Sequence, residues 1–143
     1  MAHLLNNSER HTQEVLDEFQ EACSEGHLYS ARFLAKRHGL TADDARADNN
    51  CAFMSACFNG HLDVAQWLYT TFNLTADDAR SNDNHAIRMA CAHGHLDVAK
   101  WLYTTFTLTA EDARADNNYA FRTAQMNGHV HVVEWLRATF GIE

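Results

Sequence analysis

The stretch Ala90-Cys91-Ala92-His93-Gly94-His95-Leu96-Asp97-Val98-Ala99-Lys100-Trp101-Leu102 decides the fold. It reads as the end of one helix, a glycine stop and the start of a second helix. Glycine accepts the left-handed backbone that closes a helix. One period earlier the same reading applies, with Leu62, Ala65, Leu68 and Tyr69 recurring at helical spacing. Asp63 and Asp97 fall in the first turn of the second helix, where the macrodipole favours an anion.

The glycine returns every 34 residues, at Gly26, Gly60, Gly94 and Gly128. Each is followed by a histidine (His27, His61, His95, His129) and then by Leu28, Leu62, Leu96 or Val130. Phe33, Trp67, Trp101 and Trp135 hold one aromatic position, each followed by leucine. Each copy predicts a helix A, running through Asn50–Asn59 in the second copy, and a helix B from about His61 through Tyr69. A tail comes next, Leu74-Thr-Ala-Asp-Asp-Ala-Arg80. Within it Thr75 and Asp78 have the spacing of a capping box, as do Thr41/Asp44 and Thr109/Asp112, so a short third helical turn is expected.

The ends differ from the middle. In the first copy helix A is extended upstream, from Ser8 through Glu25, and carries Asp17, Gln20 and Glu21. The last copy stops without the Leu-Thr-Ala-Asp tail. An end repeat has one face without a neighbour and needs an atypical sequence. The expected architecture is all-α, an α-solenoid of four helix–turn–helix repeats, with short helical turns or loops instead of β-hairpin fingers. Residues 1–143 form a single domain, with repeats at about 14–47, 48–81, 82–115 and 116–143, the first and last acting as caps. Each repeat buries its apolar side only by stacking, and Trp101 is expected to be a buried core residue.

A 34-residue period first suggests tetratricopeptide repeats, but their Trp-Leu-Gly-Tyr start and late proline are missing. The run from Ala90 to Leu102 instead resembles the ankyrin core Ala-Ala-x-x-Gly-His-Leu-x-x-Val-x-x-Leu. The resemblance covers roughly residues 17 to 141 and recurs four times in register. The family's Thr-Pro-Leu-His opening is replaced by Cys51-Ala-Phe-Met54, His85-Ala-Ile-Arg88 and Tyr119-Ala-Phe-Arg122, and its Gly-rich finger turn by the Thr-Ala-Asp-Asp-Ala-Arg tail. The resemblance implies a curved stack whose concave side, built from helix A and the finger region, grips partner proteins. It also implies a domain that is not by itself an enzyme.

Composition narrows the partner. The net charge of −8 argues against nucleic acid, because that affinity comes from Lys and Arg neutralising phosphates. No apolar run approaches the roughly 20 residues that cross a bilayer, and Met1–Arg10 lack the apolar core of a signal peptide. The expected address is the reducing cytosol, or wherever a carrier delivers the chain. Another protein is the expected partner, with no nucleic acid, membrane, cofactor or metal, and the free chain is expected to be monomeric.

Other constellations read as scaffold. Neighbouring repeats hold the Gly-His histidines about 10 Å apart, too far to share a zinc ion whose ligands lie about 2 Å from it. A structural role at the start of helix B is expected for them. Cys23, Cys57 and Cys91 share one repeat position, too distant for a disulfide, and behave as small core residues. Cys51 lies outside that series. The carboxylate pairs Asp43-Asp44 and Asp77-Asp78 repeat with the capping signal, and neither a phosphate loop nor a nucleophile elbow is present.

The functional clue is internal. Between residues 48–59 and 82–93, 8 of 12 positions differ, whereas between 60–80 and 94–114 only 3 of 21 differ. At about 100° per residue, the differing positions 51, 54, 55, 58 and 59 fall within roughly 140° of arc. Ala52, Phe53, Ala56 and Cys57 lie on the opposite side. Stacking aligns the variable faces into a strip of Met54, Ser55, Phe58, Asn59, His85, Arg88, Met89, His93, Tyr119, Arg122, Thr123, Met126 and Asn127. Aromatic residues, Met and Arg are enriched at protein interfaces, and this strip is the expected partner-binding site. The alternative is a structural or engineered scaffold without a dedicated ligand.

Overall fold

A computed structural model describes residues 2–142, with side chains from residue 13 onward. The chain runs α1 (Ala2–Glu25), α2 (Leu28–His38), α3 (Ala42–Ala45), α4 (Ala47–Phe58), α5 (Leu62–Phe72), α6 (Ala76–Ala92), α7 (Leu96–Phe106), α8 (Ala110–Ala113), α9 (Ala115–Met126) and α10 (Val130–Phe140). Among the described residues there is no β-strand, as the absence of a hairpin finger predicts. The A-type helices are α1, α4, the second half of α6, and α9; the B-type helices are α2, α5, α7 and α10. The A-type helices pack side by side in chain order, and each also packs on the B-type helix that succeeds it.

The glycine stop works by a paired backbone bond. Gly60 has φ +77°, its N–H reaches the Cys57 carbonyl, and the His61 N–H reaches the Ala56 carbonyl at 2.8 Å. The same bond joins His27 to Ala22, His95 to Ala90 and His129 to Ala124. These bonds satisfy carbonyls that would otherwise be orphaned at the helix end. Helix B ends in the same way, with Gly39, Asn73, Thr107 and Gly141 all left-handed. The next residue then folds inward: Leu74, Leu108 and Ile142 are buried.

The tail is capped as its sequence predicts. Thr41, Thr75 and Thr109 each form a reciprocal capping box with the aspartate three residues on. The backbone just beyond each capped turn departs from the sequence reading. Asp48, Asn49 and Asn50 are all left-handed, as are Asn82–Asn84 and Asp116–Asn118. Each triplet is one turn of left-handed helix. Such a turn costs ordinary L-residues about 1–2 kcal/mol each, and Asn and Asp tolerate it best because their short polar side chains bond locally. Helix A therefore becomes regular after Asn50, not at it as the periodicity suggested. The first A-type helix conversely begins at Ala2, further upstream than the expected Ser8; the side chains of residues 1–12 lie outside the described set.

The repeats are joined in three ways. Phe19 of helix A meets Trp67 and Phe72 of the next repeat, and Phe53 meets Trp101 and Phe106, with ring centroids near 6 Å. Each of the Gly-His histidines from His61 onward lies against the glycine one repeat earlier: a Cβ on Gly26, Gly60 or Gly94 would fall within 2.6 Å of the ring of His61, His95 or His129. Arginine and aspartate link the tails: Arg46 binds Asp78, and Arg80 binds Asp112.

The tryptophans are only partly buried and rim the core. The expectation of a buried Trp101 is therefore corrected: the fully buried anchor is its neighbour Leu102, with Leu68 and Leu136 in the other copies. Trp101 lies between repeats, against Phe53 and Tyr69, which cover only part of the indole. The cysteine series Cys23, Cys57 and Cys91 is fully buried. Burial pushes the Cys23 and Cys91 thiols up to about 12, which leaves them protonated and inert.

Candidate functional site

The strip residues lie on α4, α6 and α9, which pack in that order, and they divide into three roles. Two methionines do not reach the surface. Met54 is 6 % exposed and Met89 is 7 % exposed, so the expected strip exposes less apolar surface than its residue types suggest. The reason is the side-by-side packing of the A-type helices. The middle helices α4 and α6 have neighbours on two flanks, which narrows their open arc and turns these methionines into its floor.

A second group spends its polar atoms inside the molecule. Ser55 and Thr123 hydroxyls donate back to the carbonyls of Cys51 and Tyr119, one turn earlier. Asn59 Nδ2 donates to the Ser24 carbonyl at 3.0 Å, and Asn127 Nδ2 to the Ala92 carbonyl at 2.9 Å, so both tie adjacent repeats together. Arg88 Nε donates to the Asp83 carbonyl at 2.8 Å and Nη2 to the Asn82 carbonyl at 3.1 Å. Arg122 grips the Asn117 and Asp116 carbonyls in the same way. These guanidiniums brace the left-handed turns.

The remaining residues face outward. Phe58 is exposed and lies over the His93 ring at a centroid distance of 4.2 Å. Tyr119 is flanked by Arg88 at 5.1 Å and Arg122 at 6.0 Å from its ring centre. Met126 is 80 % exposed. His85 is half-buried; burial, with help from the Arg88 charge, lowers its pKa, so the ring is neutral at physiological pH. Between α4 and α6 the face sinks into a cavity of 440 Å³ floored by Met54 and rimmed by Asp48, Asn49, Asn82 and His85. Cys51 lines it too; burial and then the Asp48 charge raise its thiol pKa, which disfavours the reactive thiolate.

Such a face can hold a ligand by shape, apolar contact and hydrogen bonds. Among the described residues no three His, Cys, Asp or Glu side chains converge as a metal site, and no helix is long and apolar enough to cross a membrane.

Sequence reasoning missed one surface. On the B side of the first repeats, Tyr29 (85 % exposed) and Phe33 (60 % exposed) border a groove of 480 Å³ that extends to Trp67 and Phe72. The signal was available: Tyr29 occupies the position of Asp63 and Asp97.

Paired helices sharing one core, with the two helices of each pair joined at a left-handed glycine, define a helical repeat stack. The family described as "Ankyrin repeats (3 copies)" matches residues 19–112, and the chain belongs to the ankyrin repeat family. The crystal structure of an ankyrin repeat family protein from Legionella pneumophila is similar, with a TM-score of 0.69 and 27 % identity over 83 % of this chain and 36 % of that one. The chain thus spans about a third of that protein's length. No curated protein matches. Ankyrin repeats are generally protein-interaction modules, not enzymes.

Proposed function

We propose that this chain binds a partner protein on the helix-A face, as an adaptor or as an inhibitor that occludes the surface it covers. The observation that supports this reading is the contrast within the chain. Copies two and three are nearly identical through helix B and the tail, yet differ across helix A. The outward Phe58, His93, Tyr119 and Met126 lie on that variable face, which has the aromatic and Met character of an interface.

The partner is a protein rather than nucleic acid, given the charge of −8. Four free cysteines suit a reducing compartment. Replacing Phe58 and Met126 together by serine tests the face. Neither residue is in the fully buried core, so the variant should fold. Recovery of the native partner should fall by about tenfold or more, the scale of one interface hot spot. Undiminished recovery would move the site elsewhere, with the Tyr29–Phe33 groove the next place to look.

A further inference from the structure

The repeats carry the template of a ligand within themselves. In α6 the guanidinium of Arg88 sits in a cradle of four groups. It donates to the carbonyls of Asn82 and Asp83, approaches Asp116 Oδ2 at 3.4 Å, and lies over the Tyr119 ring. In α9 Arg122 repeats the two carbonyl contacts. One repeat earlier, the position of Arg88 is taken by Met54, and the four cradle groups become Asp48, Asn49, Asn82 and His85. All four border the 440 Å³ cavity, and Met54 is its floor. Methionine fills the space of an arginine stem and stops short of the planar head. Among the described residues no side-chain donor reaches the Asp48 or Asn49 carbonyl.

The geometry points to this cavity as a receptor for an arginine side chain of the partner protein. It rests on the helix-A face being the binding surface and names the chemistry that would anchor there. Arginine fits better than lysine, because two carbonyls presented side by side match the planar fork of a guanidinium. The site is also charged to suit. Asp48 is exposed at the rim, held by Gln20 Nε2 at 2.9 Å on one oxygen, and its charge lies beside the cavity. Asn82 takes the place that Asp116 holds beside Arg88 and offers an amide oxygen there. The His85 ring stands where Tyr119 covers Arg88, and a neutral imidazole can stack on a guanidinium without repelling it. The whole chain carries −8, which draws a cationic segment toward it.

The probe is acetyl-Gly-Arg-Gly-amide, titrated into the full chain while backbone amide resonances are followed. Saturable shifts are expected at Asp48, Asn49, Asn82 and His85, with a Kd in the millimolar range for one side chain. The norleucine analogue should cause none. In Met54→Arg the chain supplies its own guanidinium, and the peptide's affinity should fall by about tenfold or more. A second variant, Arg88→Met, should open an equivalent cradle at Asn82 and Asp83 and add a second set of shifts there. No saturable shift, equal shifts from norleucine, or unaltered binding to Met54→Arg would overturn the assignment. If those tests fail while the Phe58/Met126 double variant still loses its partner, only the arginine receptor is wrong. If that double variant keeps its partner, the helix-A face itself is wrong.

Discussion

Arg80 of one repeat and Asp112 of the next form a two-pronged pair: Nε donates to Oδ1 at 2.9 Å and Nη2 to Oδ2 at 3.1 Å. Thr109 and Asn84 also donate to that carboxylate. Arg46, Asp78, Thr75 and Asn50 reproduce the arrangement one repeat earlier. A single aspartate thus caps its own turn, fixes the preceding left-handed turn and joins two repeats. Arg80→Ala should lose about 2 kcal/mol in urea denaturation. Removing one partner of a buried pair costs more, but Arg80 is itself about a third exposed. Arg114, which among the described residues reaches only the Phe140 carbonyl, is the matched control. Its alanine variant should lose under about 0.5 kcal/mol, and equal losses would deny the ladder its role.

The same pair sets the acid limit. Burial alone would raise the Asp112 pKa, but hydrogen bonds from Arg80, Thr109 and Asn84 outweigh it and hold the group at about 2. Asp78 is lowered for the same reasons, against the same opposing burial. A carboxylate lowered by folding contributes stability above its unfolded pKa of about 3.9, and that contribution is lost as pH falls through the folded value. Stability should therefore drop between about pH 4 and pH 2. Asp112→Asn should start lower at pH 5 and fall less over that window, as measured by urea midpoints at each pH. A parallel fall in both proteins would contradict the assignment.

The Gly-His ladder is tested by two glycines of equal conformation. Gly60 and Gly128 have φ of +77° and +75°, so alanine strains both backbones alike, by about 1–2 kcal/mol. A Cβ at Gly60 would also lie 2.5 Å from the His95 ring, whereas at Gly128 nothing lies within 4 Å. Gly60→Ala should cost about 2 kcal/mol more than Gly128→Ala in thermal or urea unfolding, the usual range for overpacking.

Thr107 carries a removable strain. It is a β-branched residue at φ 54° and ψ 48°, where the other copies place Gly39, Asn73 and Gly141. Thr107→Gly should raise stability by about 1 kcal/mol, seen as a higher urea midpoint with an unchanged slope.

The regular part of this fold was legible because its signals are local. Gly94 and its equivalents set the period, and Thr75 with Asp78 announced a cap that the structure contains. The left-handed triplets were not legible. Asp48-Asn49-Asn50 is merely polar in sequence, and its conformation depends on partners 28 to 31 residues away, such as Asp78 and Ser81 for Asn50. The strip was half legible. Counting differences between copies located the face, but a helical wheel cannot say how much of an arc the flanking helices cover. Met54 and Met89 were placed outside for that reason. Arg88 and Arg122 looked like free interface cations because the carbonyls they hold belong to a turn that the sequence did not reveal.

The most direct test of recognition through helix A is hydroxyl-radical footprinting of the chain alone and with its native partner bound. Oxidisable side chains are exposed on both faces: Phe58 and Met126 on the A side, Tyr29, Phe33 and Tyr103 on the B side. Recognition through helix A predicts that bound partner lowers oxidation of Phe58 and Met126 and leaves Tyr29, Phe33 and Tyr103 unchanged. Protection of Tyr29 and Phe33, with Phe58 and Met126 as reactive as in the free chain, would contradict it.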